Sequence, residues 1–152
     1  MALEAHVPAI ANVIQLAIAP VFMLTAIGSF LAVITQRLAR AVDRARELED
    51  RLGGLPADSE SLTLAKEELY VLSQRARWTN RAITSCTACG LFICLVIATL
   101  FVGTFLDTDV SRATSALFLA ALTALTVGLV SFLQEIYLAT RYLRIGTYRP
   151  GF

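Results

Sequence analysis

The chain has 152 residues, 57% of them hydrophobic and only 16% charged, with a formal net charge of +1 and a mean hydropathy of +0.67. A composition this apolar excludes an ordinary soluble domain of the same size. The charges are segregated: none occurs over residues 7–36, 82–106 or 113–134, and each of these runs exceeds the roughly 20 apolar residues that cross a bilayer core. Their continuity excludes the alternating pattern of a barrel strand, so the expected fold is all-α, a membrane protein with three transmembrane helices in a single membrane domain over residues 1–152.

The first span is expected over residues 8–36. Pro8 suits a first helical turn, and Pro20 in mid-membrane removes one backbone bond and should bend the helix. Met1 to His6 contains no Lys or Arg, so the positive start of a cleaved signal peptide is missing. Ala17-Ile18-Ala19 looks like a cleavage box, yet Pro20 follows and the apolar stretch continues to Ile34. The first span is therefore read as a retained anchor. Asn12, Gln15, Ala19, Ala26 and Ser29 recur at helical spacing. Asn12, Gln15, Ala19 and Ser29 are candidates to line a water-filled pore; more often such a stripe joins helices through hydrogen bonds of about 1 kcal/mol each.

Residues 37–81 read as a cytoplasmic antiparallel helical hairpin that prolongs the first and second spans. Residues 37–52 are strong helix formers without Gly or Pro, so one helix is expected from about residue 8 to 52. Gly53-Gly54 with Pro56 ends it, and Asp58, Ser59 or Ser61 caps the next. Leu38, Ala41, Ala45, Leu48 and Leu52 alternate steps of three and four, as do Leu62, Ala65, Leu69, Leu72 and Ala76. These are heptad seams, and the two arms should pair along them. The remaining positions carry nine basic and eight acidic residues, a near-neutral balance that argues against nucleic acid as a partner. Arg40, Arg44, Arg75 and Arg77 are candidates for anionic lipid head groups, each charge contributing about 1 kcal/mol.

The second span is expected over residues 82–106. It holds Cys86, Cys89 and Cys94. A metal or redox reading of the first two needs a second pair or a nearby histidine, and His6 is expected on the opposite side of the membrane, so packing is the favoured role. A short turn through Leu106-Asp107-Thr108-Asp109 leads to the third span, residues 112–139, with a tail over 140–152. In that span Ala116, Ala120, Ala124 and Gly128 repeat every four residues, a small-residue ladder for helix packing. Glu135 is the one acid in the apolar parts of the chain. It lies 23 residues after Arg112, about 35 Å along a helix, which puts it near the inner interface rather than at the midplane. Pairing with Arg37 or Arg81 is the expected role, forming an interfacial charge cluster; ion coordination or gating is the alternative.

Orientation follows the Lys and Arg count of the flanks. Twelve basic residues lie in the hairpin and tail and only Arg112 on the other side, so the N-terminus is expected outside and the C-terminus in the cytoplasm, in the inner (plasma) membrane. Trp78, Tyr137, Tyr142 and Tyr148 fall near the same interface. No catalytic constellation, metal box or dinucleotide fingerprint is present, so neither enzymatic activity nor a cofactor is expected.

Four stretches, Gln15 to Thr25 (QLAIAPVFMLT), Arg37 to Glu49 (RLARAVDRARELE), Arg75 to Ile83 (RARWTNRAI) and Ser131 to Glu135 (SFLQE), resemble a widespread family of small bacterial membrane proteins known as a domain of unknown function. The resemblance covers nearly the whole chain and implies the three-span architecture with its hairpin; it implies no activity, cofactor or catalytic residue. The expected function is that of a self-associating, structural or accessory membrane protein, a homo-oligomer whose hairpin meets an unidentified membrane or cytoplasmic protein. The alternative is an oligomeric ion channel.

Overall fold

The computed structural model describes the backbone over residues 2–52, 60–106 and 108–143, and side chains over 11–52, 62–106 and 108–140. The expected turn at Gly53, Gly54 and Pro56, the cap side chains Asp58, Ser59 and Ser61, the side chains of His6 and Tyr142, and Asp107 and Tyr148 lie outside the described residues. Three α-helices make up the fold: α1 (Ala2–Leu52), α2 (Glu60–Leu106) and α3 (Ser111–Leu143), with no strand among the described residues. All three are long and apolar enough to cross a membrane, their most apolar windows reaching mean hydropathies of 2.3, 2.5 and 2.3. The chain is thus an all-helical, multi-pass membrane protein. α1 starts earlier than expected and takes Pro8 into its interior, because Ala2-Leu3-Glu4-Ala5 are themselves helix formers. Pro20 is buried within the same unbroken helix.

The heptad seam extends well beyond the hairpin. Along α1, Val13, Ala17, Pro20, Leu24, Ile27, Leu31, Ile34, Leu38, Ala41, Ala45, Leu48 and Leu52 alternate steps of four and three, and every one is buried or half-buried. On α2 the buried stripe continues past Leu72 through Thr79, Ala82, Cys86, Cys89, Ile93 and Val96. A repeat of 3.5 residues keeps one face turned to its neighbours along a slightly underwound helix.

Contacts divide the chain into two compact units, one of Met1–Leu31 with Thr84–Val127, the other of Ala32–Ile83 with Gly128–Phe152. The first is built on a core of Ile27, Cys86, Cys89, Ile93 and Ala121, against which Met23, Leu24, Phe30, Phe92 and Leu125 pack. Cys86 and Cys89 are fully buried free thiols, small apolar fillers of this core. No group of metal-ligating side chains occurs among the described residues. Hydroxyls on outward faces return their bonds to the helix itself: Thr25 to Val21, Ser29 to Thr25, Thr99 to Leu95, Thr123 to Leu119 and Thr126 to Leu122, each donating to the carbonyl four residues earlier. Such bonding lets polar residues sit on a face that meets hydrocarbon.

The connection from α2 to α3 is tight. The Thr108 amide donates to the Gly103 carbonyl at 3.1 Å, and the Asp109 carboxylate accepts from the amide and hydroxyl of Ser111 at 3.0 and 2.5 Å. These bonds, the hydroxyl first, hold the Asp109 carboxyl below its ordinary value. Gly103 is buried against Val110, and a Cβ there would collide with one Val110 methyl and crowd the other.

Candidate functional site

The most polar buried place among the described residues is in the second unit, where an acid of α3 meets arginines of α1 and α2. On α3 the inward face runs through Gly128, Ser131 and Glu135, at steps of three and four. Position 135 must therefore point inward, and Glu135 is only 2% exposed. A lone buried carboxylate is costly. Here it is met from two sides. Arg37 of α1 donates to it through Nε at 3.2 Å and Nη2 at 3.4 Å, with a closest ion-pair distance of 3.1 Å. Arg75 of α2 donates through Nε at 3.2 Å and Nη2 at 2.8 Å. Arg37 forks onto both carboxylate oxygens, the arrangement that gives arginine–carboxylate pairs their geometric definition, whereas both Arg75 nitrogens converge on Oε1.

The Arg37 guanidinium lies 5.6 Å from the centroid of the Phe132 ring, within cation–π range. Beneath Arg75, the buried Thr79 hydroxyl donates to the Arg75 carbonyl at 2.9 Å. The guanidinium groups stay in partial contact with solvent, Arg37 at 32% and Arg75 at 24% side-chain exposure.

Further along the hairpin, Arg44 of α1 donates to Glu68 of α2 at 3.0 Å and to Glu47 on its own helix at 3.1 Å. Glu47 also receives Arg51 at 2.5 Å. The bond to Glu68, then that to Glu47, raises the Arg44 guanidinium above its ordinary value. The bond from Arg44, followed by the charge of Arg51, lowers the Glu47 carboxyl. Arg37, Arg40, Arg44 and Arg75 line an open groove of about 390 Å³, with Ala41 and Leu72 between them.

The structure thus brings Arg37 and Glu135 together and leaves Arg81 out. Arg81 is exposed and lies 5.4 Å from the ring centroid of Trp78. Six residues of helix turn it about 120° from Arg75, onto a different face. Arg75, expected at lipid head groups, takes the place at Glu135. The signal for this was its register, since Arg75 falls on the stripe Leu72, Thr79, Ala82 and Cys86, three residues after Leu72 and four before Thr79. Of the other head-group candidates, Arg44 is engaged with acids, while Arg40 and Arg77 are exposed with no hydrogen bond or ion pair among the described residues.

Within one chain the small-residue ladder does not lie along a single contact. Ala116 is exposed, Ala120 and Ala124 are half-buried, and Gly128 is buried. A strict four-residue repeat advances about 40° per step on a helix of 3.6 residues per turn, so it drifts across the packed face. The contact follows Leu117, Ala121, Ala124, Gly128, Ser131 and Glu135 instead. The candidate pore positions Asn12, Gln15, Ala19 and Ser29 are all exposed, on the side of α1 away from the seam. Asn12 borders a shallow pocket at the α2–α3 turn, with Gly103, Thr104, Thr108 and Ser111.

A family model described as a protein of unknown function (DUF2721) matches residues 17–145. No curated protein and no solved structure matches the chain. The match spans both units and includes every residue of the Glu135 site, and the chain belongs to this family.

Proposed function

For a member of this family, we propose a non-enzymatic, self-associating membrane protein of structural or accessory role. Its hairpin lies in the cytoplasm beneath the inner membrane, with the N-terminus outside and the C-terminus inside, the side on which Lys and Arg accumulate. The reading is carried by the exposed face of α1, on which Gln15 projects with no side-chain partner among the described residues. A carboxamide turned to hydrocarbon loses its hydrogen bonds, whereas the same groups on a second copy return about 1 kcal/mol each. Only 17–22% of the most apolar window of each span is buried within one chain, so a single copy has little interior of its own.

Cysteine crosslinking in native membranes tests this. In a chain carrying Cys94→Ala, Gln15→Cys is expected to give a disulfide-linked dimer, and Val13→Cys, on the buried seam, to give none. A monomeric Gln15→Cys band together with a monomer mass in mild detergent would overturn the proposal.

The same outward stripe favours a second reading, an ion-conducting pore between copies. Asn12, Gln15, Ala19 and Ser29 would line it, and the arginines and Glu135 would set selectivity near its inner mouth. Planar-bilayer recording discriminates the two: single-channel steps altered by Gln15→Leu support the pore, and a silent bilayer across voltage and pH removes it.

A further inference from the structure

We propose that the groove lined by Arg37, Arg40, Arg44 and Arg75 is a binding site for a phosphoryl group. The lining holds four guanidinium groups and no carboxylate. Three of the four are already oriented: Arg37 and Arg75 by Glu135, Arg44 by Glu68 and Glu47. Arg40 alone has no hydrogen bond or ion pair among the described residues.

The charge count points to an anion. Four arginines, Arg37, Arg44, Arg51 and Arg75, share three carboxylates, Glu47, Glu68 and Glu135, and Arg40 beside them meets none among the described residues. Two positive charges are left over beside a partly buried site, where they repel one another more strongly than in open water. Arginine forks converging from two helices match the several acceptor oxygens of a phosphoryl group.

Depth agrees with the chemistry. The charge-free run of α1 ends at Gln36, so Arg37 marks the edge of the apolar zone. Arg40 and Arg44 follow about 5 and 11 Å further along the helix, within and just past the roughly 5–8 Å that head groups occupy on each side of the hydrocarbon. The phosphoryl group can belong to an anionic lipid lying alongside α1 or to a soluble phosphate compound; both present the same oxygens.

The experiment uses the full chain in nanodiscs. Binding is measured by native mass spectrometry and by the thermal midpoint, in phosphatidylcholine alone, with phosphatidylglycerol added, and with inorganic phosphate added. Retention of phosphatidylglycerol, displaced by phosphate or not, supports the site with a lipid source. Saturable phosphate binding without lipid retention supports it with a soluble source. Arg40→Gln is expected to weaken whichever binds about tenfold, and Arg40→Lys to recover part of the loss. Arg46→Gln and Arg77→Gln, exposed arginines outside the groove, are expected to change it little. No binding in either arm, or equal losses for Arg40→Gln, Arg46→Gln and Arg77→Gln, would overturn the proposal, the latter by revealing only diffuse surface attraction.

Discussion

Arg75 and Glu135 stand 60 positions apart in the chain and meet at 2.8 Å, with Arg37 reaching the same carboxylate from a third helix. One acid therefore ties the three helices of this unit together. Removing one side of a buried pair strands the other, whereas replacing the whole set by apolar residues of similar volume is often neutral or stabilising. Arg37→Met/Arg75→Met is accordingly expected to cost about 3–5 kcal/mol in unfolding free energy. The triple variant with Glu135→Leu should recover most of that loss while abolishing phosphoryl binding in the adjacent groove. Equal destabilisation of the double and triple variants in denaturant titrations would contradict this account of the site.

On α3, Ala121 is fully buried in the core of the first unit and Ala116 is exposed. Ala121→Leu should overpack that core and cost about 1–3 kcal/mol. Ala116→Leu should stay within about 0.5 kcal/mol within one chain, so any larger effect must come from contacts between copies. Thermal midpoints at two protein concentrations separate the cases.

Gly103 shows how closely the α2–α3 connection packs against the end of α2. Its missing Cβ leaves room for the two Val110 methyls, and its carbonyl receives the Thr108 amide. Gly103→Ala is expected to lose about 1–3 kcal/mol, and Val110→Ala in the same chain to restore most of it. A double variant no more stable than Gly103→Ala would place the cost elsewhere.

The hairpin should weaken in acid through Glu47. Its carboxyl is lowered by Arg44 and Arg51, so the unfolded chain takes up the proton first. The stabilisation is complete above the ordinary carboxylate value and is lost as pH falls through the lower, folded value. The difference in unfolding midpoint between the protein and Glu47→Gln should be constant near neutrality and shrink below about pH 4. A difference independent of pH would show that Arg44 and Arg51 do not act through the ionised carboxylate. High salt should shrink it too, because the group is exposed and screening is effective there.

Much of this architecture was legible in one dimension, for physical reasons. Hydrocarbon tolerates neither charge nor unsatisfied backbone, so three long charge-free runs can only be helices. The 3.5-residue spacing of Leu and Ala from Leu38 to Leu52 and from Leu62 to Ala76 likewise shows which faces must pair. Glu135 was recognisable as the one acid inside an apolar stretch. Its partner was harder to choose, because Arg37, Arg75, Arg77 and Arg81 are chemically alike and differ only in which way their helices turn them. Rotation about the axis decided it: about 120° separates Arg81, stacked on Trp78, from Arg75, bonded to Glu135. The same rotation carried Ala116 out of the contact that Gly128 enters. Sequence by itself determined the helices, their spans and the paired seams, because these follow from local spacing and from solvent. The choice among equivalent arginines, and the groove they share, rested on the packing of three helices at once, which only the tertiary structure decided.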